Sequence, residues 1–140
     1  MAVLSHTSDA SGESVRLLGI DFDIKLQMGI CITECIHEAS WRLRTILRSR
    51  KFYSDQELVL HFKSHVLFYL EYRTIAIYHA SSSALAPLDR VLDSFLRDIG
   101  MTPTDALLLC NLAPLLARRD MAILGFIYRA ILRIGPYQFL

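Results

Sequence analysis

From Ile32 onward, apolar residues return every three or four positions, which is the spacing of one face of an α-helix. Turn or capping residues divide this part of the chain into five segments, with boundaries near Ser54, residues 81–83, residues 102–103 and Pro114. Amphipathic helices joined by short connections bury their apolar faces by packing against one another. We therefore expect a mainly α fold, a helical bundle of about five helices.

Three of these segments carry specific predictions. The second helix starts at Ser54, with Glu57 three residues later, and it is apolar on every side over residues 66–70. That composition predicts burial in the middle of the bundle. The third helix ends at Gly100. In the last helix, which opens at Pro114, the predicted core stripe consists of Ala117, Met121, Leu124, Tyr128 and Ile131.

The N-terminal part has a different pattern. Residues 15–23 alternate between apolar and polar side chains and predict one short β-strand, and no second convincing strand follows. Residues 1–13 are rich in serine and small residues, which predicts a disordered tail. We expect residues 14–140 to form a single helical domain.

The chain is unusually apolar for its size, with 53% hydrophobic residues among 140. Its mean hydropathy is +0.34. Charged residues interrupt the two most apolar stretches, so neither reaches the roughly 18 to 20 apolar residues that a membrane span needs. The excess of apolar residues favours a surface that docks on another protein or on a second copy of the chain.

The cysteines and the N-terminus predict an intracellular protein, in the cytoplasm or the nucleus. Three cysteines, at positions 31, 35 and 110, have no disulfide-framework spacing and are expected to be buried, reduced thiols. The first residues lack the basic-then-apolar pattern of a secretory signal.

A cluster of cations without acidic neighbours lies at the end of the first helix. If helical, His37, Trp41, Arg44, Arg48 and Lys51 form one stripe, with Arg42 and Arg50 beside it. A cationic stripe with a large aromatic is typical of a surface that contacts a phosphate backbone. The alternative is an ordinary solvated helix face.

The residues indicate no self-contained enzyme and no cofactor. Asp21 and Asp23 follow a strand, as metal-binding carboxylates do in some phosphotransferases, but no phosphate loop or further βαβ unit accompanies them. His61 and His65 have zinc-ligand spacing on a helix, yet no third ligand of matching geometry is evident. We predict no catalytic residues and no metal site.

Several motifs, taken in order, resemble the late part of reverse transcriptases of non-LTR retrotransposons. Residues 18–26 are similar to the strand and turn that close the palm domain in that family. Residues 63–72, with the letters KSHVLFYLEY, resemble its "K-S-h-V-h-x-x-h-E-Y" helix. Residues 88–100 resemble its "L-D-x-h-Q-x-x-F-h-R-x-h-h-G" helix, and residues 112–119 resemble "L-x-P-L-x-x-R-R".

The resemblance covers residues 17–136 and implies the end of the palm followed by the thumb and connection helices. The chain lacks the Asp-Asp pair of that family's polymerase site, so the resemblance implies a non-catalytic piece of an RNA-directed DNA polymerase. In the family, the thumb holds the template–primer duplex by its backbone. This role falls on Arg44, Arg48 and Lys51, with Arg42, Arg50 and Trp41 as flanking candidates. The implied partners are an RNA–DNA duplex and the missing palm domain.

Overall fold

The computed structural model describes residues 5–7 and 14–132. In this part of the chain a small sheet precedes a helical bundle, and the expected mainly α fold is confirmed. The strands are β1 (Ser5–Thr7), β2 (Ser14–Leu17) and β3 (Ile20–Asp23). The helices are α1 (Gly29–Arg48), α2 (Asp55–Phe62), α3 (Phe68–Tyr72), α4 (Thr74–Ile77), α5 (Ser82–Ile99), α6 (Pro103–Cys110) and α7 (Leu115–Ile131).

The expectation of one unpartnered strand is wrong. Residues 15–23 split into β2 and β3, which pair antiparallel with Val15 opposite Phe22. Two residues with positive φ, Leu18 at 50° and Gly19 at 77°, form the tight turn between them. Sequence alternation did not reveal the break because the turn contains only one glycine and no asparagine or aspartate.

The expected disordered tail falls mostly on residues 1–4 and 8–13, which lie outside the described residues. Residues 5–7, within the same range, form β1 and pair antiparallel with β2. The sheet order is β1-β2-β3.

Two side chains at the junction of α3 and α4 attach the sheet to the bundle. The Tyr72 hydroxyl donates to the carbonyl oxygen of Leu18 at 3.2 Å. The buried Arg73 guanidinium donates to the carbonyl oxygen of Gly19 at 3.1 Å and contacts the sulfur of Cys35 at 3.7 Å. The β2–β3 turn is therefore held through its main chain.

The core lies where α1, α2 and α5 meet. The rings of Phe62 on α2 and Phe95 on α5 stack with their centroids 4.3 Å apart, and both side chains are fully buried. Cys31 and Cys35 are buried on the inner face of α1, as expected, whereas Cys110 is only partly buried, against the expectation. The predicted caps are also present, because Ser54 and Glu57 form a reciprocal capping box and Gly100 ends α5 with a φ of 71°.

The second predicted helix is not uniformly buried. It is interrupted by a π-helical turn, Lys63–Leu67, between α2 and α3. Val66, Leu67 and Leu70 are buried, whereas Phe68 is 68% exposed. The expectation that residues 66–70 lie inside the bundle on every side is therefore wrong for the side that Phe68 occupies.

The predicted core stripe of α7 faces solvent, which reverses the expectation. Met121, Leu124, Tyr128 and Ile131 are between 60% and 73% exposed, and Ala117 is exposed with them. We call these five residues the α7 outer face. The opposite side of α7 contacts α4 and α5, and there Leu115 and Arg119 are buried.

Arg119 explains why α7 turns this way. Its guanidinium forms two hydrogen bonds to the carboxylate of Asp89 on α5, at 2.7 and 3.1 Å, and only 7% of its side chain is exposed. Arg118 forms a second ion pair, with Glu71 on α3. Two charge-assisted contacts therefore fix the rotation of α7 about its axis.

Candidate nucleic-acid interface

The outer face of α1 carries cations opposite the core. Helical spacing places His37, Trp41, Arg44 and Arg48 along one line, and all four side chains are exposed. We call these four residues the α1 outer face. Trp41, the only tryptophan of the chain, is 59% exposed. Within residues 14–132, no side chain forms an ion pair with Arg44 or Arg48.

The structure removes Arg42 from this face. Its Nε donates to Glu38 at 2.7 Å, and its Nη1 donates to the carbonyl oxygen of His65 at 3.0 Å. The guanidinium also lies over the ring of Tyr69, 4.4 Å from the centroid. Arg42 thus joins α1 to the π-helical turn and α3, and its donors and its charge are largely engaged within the protein.

Lys51 and Arg50 do not continue the helical stripe, because α1 ends at Arg48. They lie in a short 3₁₀ turn, Arg50–Phe52. Arg50 donates to the carbonyl oxygen of Asp98 near the end of α5, at 3.1 Å. Lys51 is exposed, and its ammonium lies 4.9 Å from the centroid of the Phe52 ring. Lys51 remains available to a ligand, whereas Arg50 is partly engaged.

Grooves flank the α1 outer face on both sides. Toward α5, a groove of about 290 Å³ is lined by Arg44 together with Arg90 and Ser94. Toward the π-helical turn, a groove of about 280 Å³ is lined by Trp41 and His65 among others. Sequence reasoning missed Arg90, because no local pattern indicates that this residue of α5 lies across a groove from Arg44.

The two aspartates after the predicted strand have structural contacts instead of a shared site. Asp21 is opposite Arg16 on the neighbouring strand and lies 3.9 Å from its Nε. Asp23 accepts a hydrogen bond from the backbone N–H of Met28, at 3.1 Å, just before α1 begins. In the described part of the chain, no group of three His, Cys, Asp or Glu side chains is placed to hold a metal ion.

The histidine pair also has local partners. The rings of His61 and His65 stack with centroids 6.1 Å apart, and Tyr53 packs edge-on against His61. Glu57, one turn earlier, accepts hydrogen bonds from the backbone and hydroxyl of Ser54. Glu57, the nearest acidic residue that could have served as a third zinc ligand, is therefore engaged in the helix cap.

The thiols are poorly suited to nucleophilic chemistry. Burial, with a smaller contribution from the neighbouring Cys35, raises the pKa of Cys31 to about 11. Burial also raises the pKa of Cys35, although Arg73 acts in the opposite direction. Both thiols are therefore protonated at neutral pH.

The motifs that carry the family resemblance meet in space. Glu71 belongs to the first helical motif, Asp89 to the second, and the consecutive arginines 118 and 119 to the third. The two ion pairs of α7 join these three motifs directly. The arginine pair therefore holds the helices together and does not add to the α1 outer face.

No helix of the described residues is both long and apolar enough to cross a bilayer. No protein-family model matches the chain, and no curated protein or solved structure is significantly similar to it.

Proposed function

We propose that the chain is a non-catalytic helical module that binds the phosphate backbone of a nucleic-acid duplex, in the manner of the thumb of a retrotransposon reverse transcriptase. The observation that carries this proposal is the α1 outer face. Arg44 and Arg48 point away from the core without an ion-pair partner among the residues described, and an exposed tryptophan lies between His37 and Arg44 on the same line. Such a surface offers charge and stacking without base-specific readout.

The placement of the other motif residues supports the same proposal. Arg118 pairs with Glu71 and Arg119 with Asp89, and these two ion pairs tie α7 to α3 and α5 in one frame. A module that binds the phosphate backbone needs a rigid frame, because its phosphate contacts set the position and orientation of the protein on the duplex. The RNA–DNA duplex is the partner that the family resemblance implies.

The expected strength of the salt dependence follows from the number of free cations. Arg44, Arg48 and Lys51 would neutralise about three phosphates, which predicts a slope near −2.7 for log affinity against log salt. A fourfold increase in salt should then weaken binding about 40-fold. Fluorescence anisotropy with a labelled RNA–DNA duplex at low and moderate salt measures this slope. Undetectable or salt-insensitive binding would remove the proposal.

A triple variant assigns the contact to this surface. Replacing Arg44, Arg48 and Lys51 by glutamine should bring the salt slope close to zero. The matched control, Lys25→Gln with Arg97→Gln and Arg129→Gln, changes the net charge equally at exposed positions elsewhere. Equal losses in both variants would mean that only the overall charge matters.

Trp41 provides an independent readout of the same surface. Because it is the only tryptophan and is 59% exposed, tryptophan fluorescence, excited where the six tyrosines do not absorb, reports on this part of α1. Binding of the duplex should protect Trp41 from quenching by acrylamide. Unchanged quenching at saturating duplex would place the contact on another surface.

A second candidate function, docking to protein, is favoured by a different observation. The α7 outer face exposes four large apolar side chains in one line, and a folded protein in water seldom leaves such a surface uncovered. Sedimentation combined with binding of the dye ANS tests this function. A compact monomer that does not bind ANS would exclude it.

A further inference from the structure

We infer that the α7 outer face binds the same face of a second copy of the chain, with the two α7 helices antiparallel and crossing at Leu124. This inference rests on the protein-docking function proposed for that face. It commits to one partner, because the face meets two requirements of a two-fold symmetric interface, sufficient area and self-complementarity, and its one nearby carboxylate already has a hydrogen-bond partner in Tyr78.

The available area suits a stable dimer. Three large apolar side chains, Leu116, Ile127 and Leu132, flank the four large ones of the α7 outer face. All seven are between 45% and 73% exposed. At about 100 Å² each they offer roughly 700 Å² per copy, close to the ~800 Å² per partner of a standard protein interface.

The face is also nearly symmetric about its centre. In an antiparallel pair crossing at Leu124, residues whose numbers sum to about 248 lie opposite each other. Leu124 then meets Leu124 of the second copy, Met121 lies opposite Tyr128, and the small Ala117 lies opposite Ile131. At each end of the pair a small side chain faces a large one, and at the centre two leucines face each other. This arrangement allows the two helices to pack evenly.

One charged residue, Asp120, lies one helical turn before Leu124 and, by the same rule, opposite Tyr128 of the second copy. Asp120 is turned toward α4, where it accepts a hydrogen bond from the Tyr78 hydroxyl at 3.1 Å. In the antiparallel pair, the two copies of Asp120 lie about 12 Å apart along the helices, beyond a Debye length at physiological salt. The crossing point at Leu124 is therefore apolar, and the Asp120 carboxylate beside it is held by Tyr78.

Sedimentation velocity of the full chain over a range of concentrations tests the second copy. The wild-type chain should change from monomer to dimer as its concentration rises. Leu124→Asp should weaken the dimer at least about 100-fold, since it places a carboxylate in an apolar interface. Leu108→Asp is the matched control, because Leu108 lies on α6 and is 74% exposed. It should leave the dimer unchanged.

Cysteine cross-linking tests the orientation. In a Cys110→Ser background, Leu124→Cys should form a disulfide between copies under mild oxidation, because this position meets itself. Ala117→Cys should not, since its two copies lie about 21 Å apart in the antiparallel pair. Cross-linking at both positions would indicate parallel helices and overturn the geometry.

The outcomes separate this inference from the function on which it rests. The chain could remain monomeric at every concentration, bind ANS, and lose that binding in Leu124→Asp. This result would refute self-association and leave the α7 outer face as a docking surface for a different protein. A monomer that does not bind ANS overturns both. A dimer that Leu108→Asp disrupts as strongly as Leu124→Asp is formed by another surface, and it also overturns the inference.

Discussion

Several acidic side chains form ion pairs among the described residues. Of these, Asp89 is the one whose removal should destabilise the fold most. Asp89→Ala takes away two hydrogen bonds, of 2.7 and 3.1 Å, from a guanidinium that is only 7% exposed. Breaking a fully buried ion pair in this way costs about 3 to 5 kcal/mol. Because the Asp89 side chain is 37% exposed, water can partly replace it. We expect a loss of about 2 to 3 kcal/mol in the free energy of unfolding.

Urea unfolding followed by circular dichroism measures this loss. The midpoint should fall by about 1 to 2 M, given the usual dependence on urea for a small domain. Glu71→Ala is the control, since it breaks the Arg118 pair, whose side chains are 28% and 39% exposed. That change should cost no more than about 1 kcal/mol.

A double substitution separates the buried charge from the lost contact. In Asp89→Leu with Arg119→Met, no charge remains without a partner, and apolar groups fill the space. This variant should be more stable than Asp89→Ala, since an apolar replacement of a buried pair is often neutral. If Asp89→Ala costs less than about 0.5 kcal/mol, or if the double variant is the less stable one, the reasoning about Arg119 is refuted.

Three further predictions concern other sites. Hydrogen bonds from Ser54 lower the pKa of Glu57 in the folded chain from its ordinary value of 4.5. The contribution of this cap to the free energy of unfolding should therefore be fully present above pH 4.5 and should decline as the pH falls through the lowered pKa. Glu57→Gln should abolish this part of the pH dependence of stability. A thiol reagent at neutral pH should modify Cys110 quickly and Cys31 only after unfolding, because Cys31 is buried with a pKa of about 11; two fast thiols would contradict this. Gly100→Ala should cost about 1 kcal/mol in thermal or urea unfolding, since the φ of 71° at this helix end disfavours a β-carbon; an unchanged midpoint would contradict it.

The sequence predicted those helices whose two sides differ clearly. In α5, Leu88, Val91 and Phe95 fall on one side and charged residues on the other, and the structure buries the first set. The helix ends at Ser54 and Gly100 were also predictable, because capping depends on residues close together in the chain.

Helix α7 could not be oriented from its own residues. Both of its sides carry apolar side chains, so the periodicity of residues 117–131 is compatible with two rotations that differ by about half a turn. The choice depends on Arg119 meeting Asp89, which lies 30 residues earlier in the chain. Contacts over such separations leave no periodic signal in one sequence.

The candidate interface was predicted in part for a similar reason. Spacing placed Trp41, Arg44 and Arg48 on one line, and the structure has them there, exposed. Spacing could not reveal that Arg42 is held by Glu38 and the carbonyl oxygen of His65, because the latter comes from another helix. Whether a surface arginine is free depends on neighbours that folding brings together.

The attachment of the β2–β3 turn has an evolutionary consequence. Tyr72 and Arg73 hold carbonyl oxygens at positions 18 and 19, which every amino acid possesses. Amino-acid changes at position 18 should therefore be tolerated, and asparagine should suit its positive φ better than leucine does. Insertion or deletion of a single residue in this turn would move both acceptors out of reach. Related genes should thus vary in the letters of this turn while preserving its length.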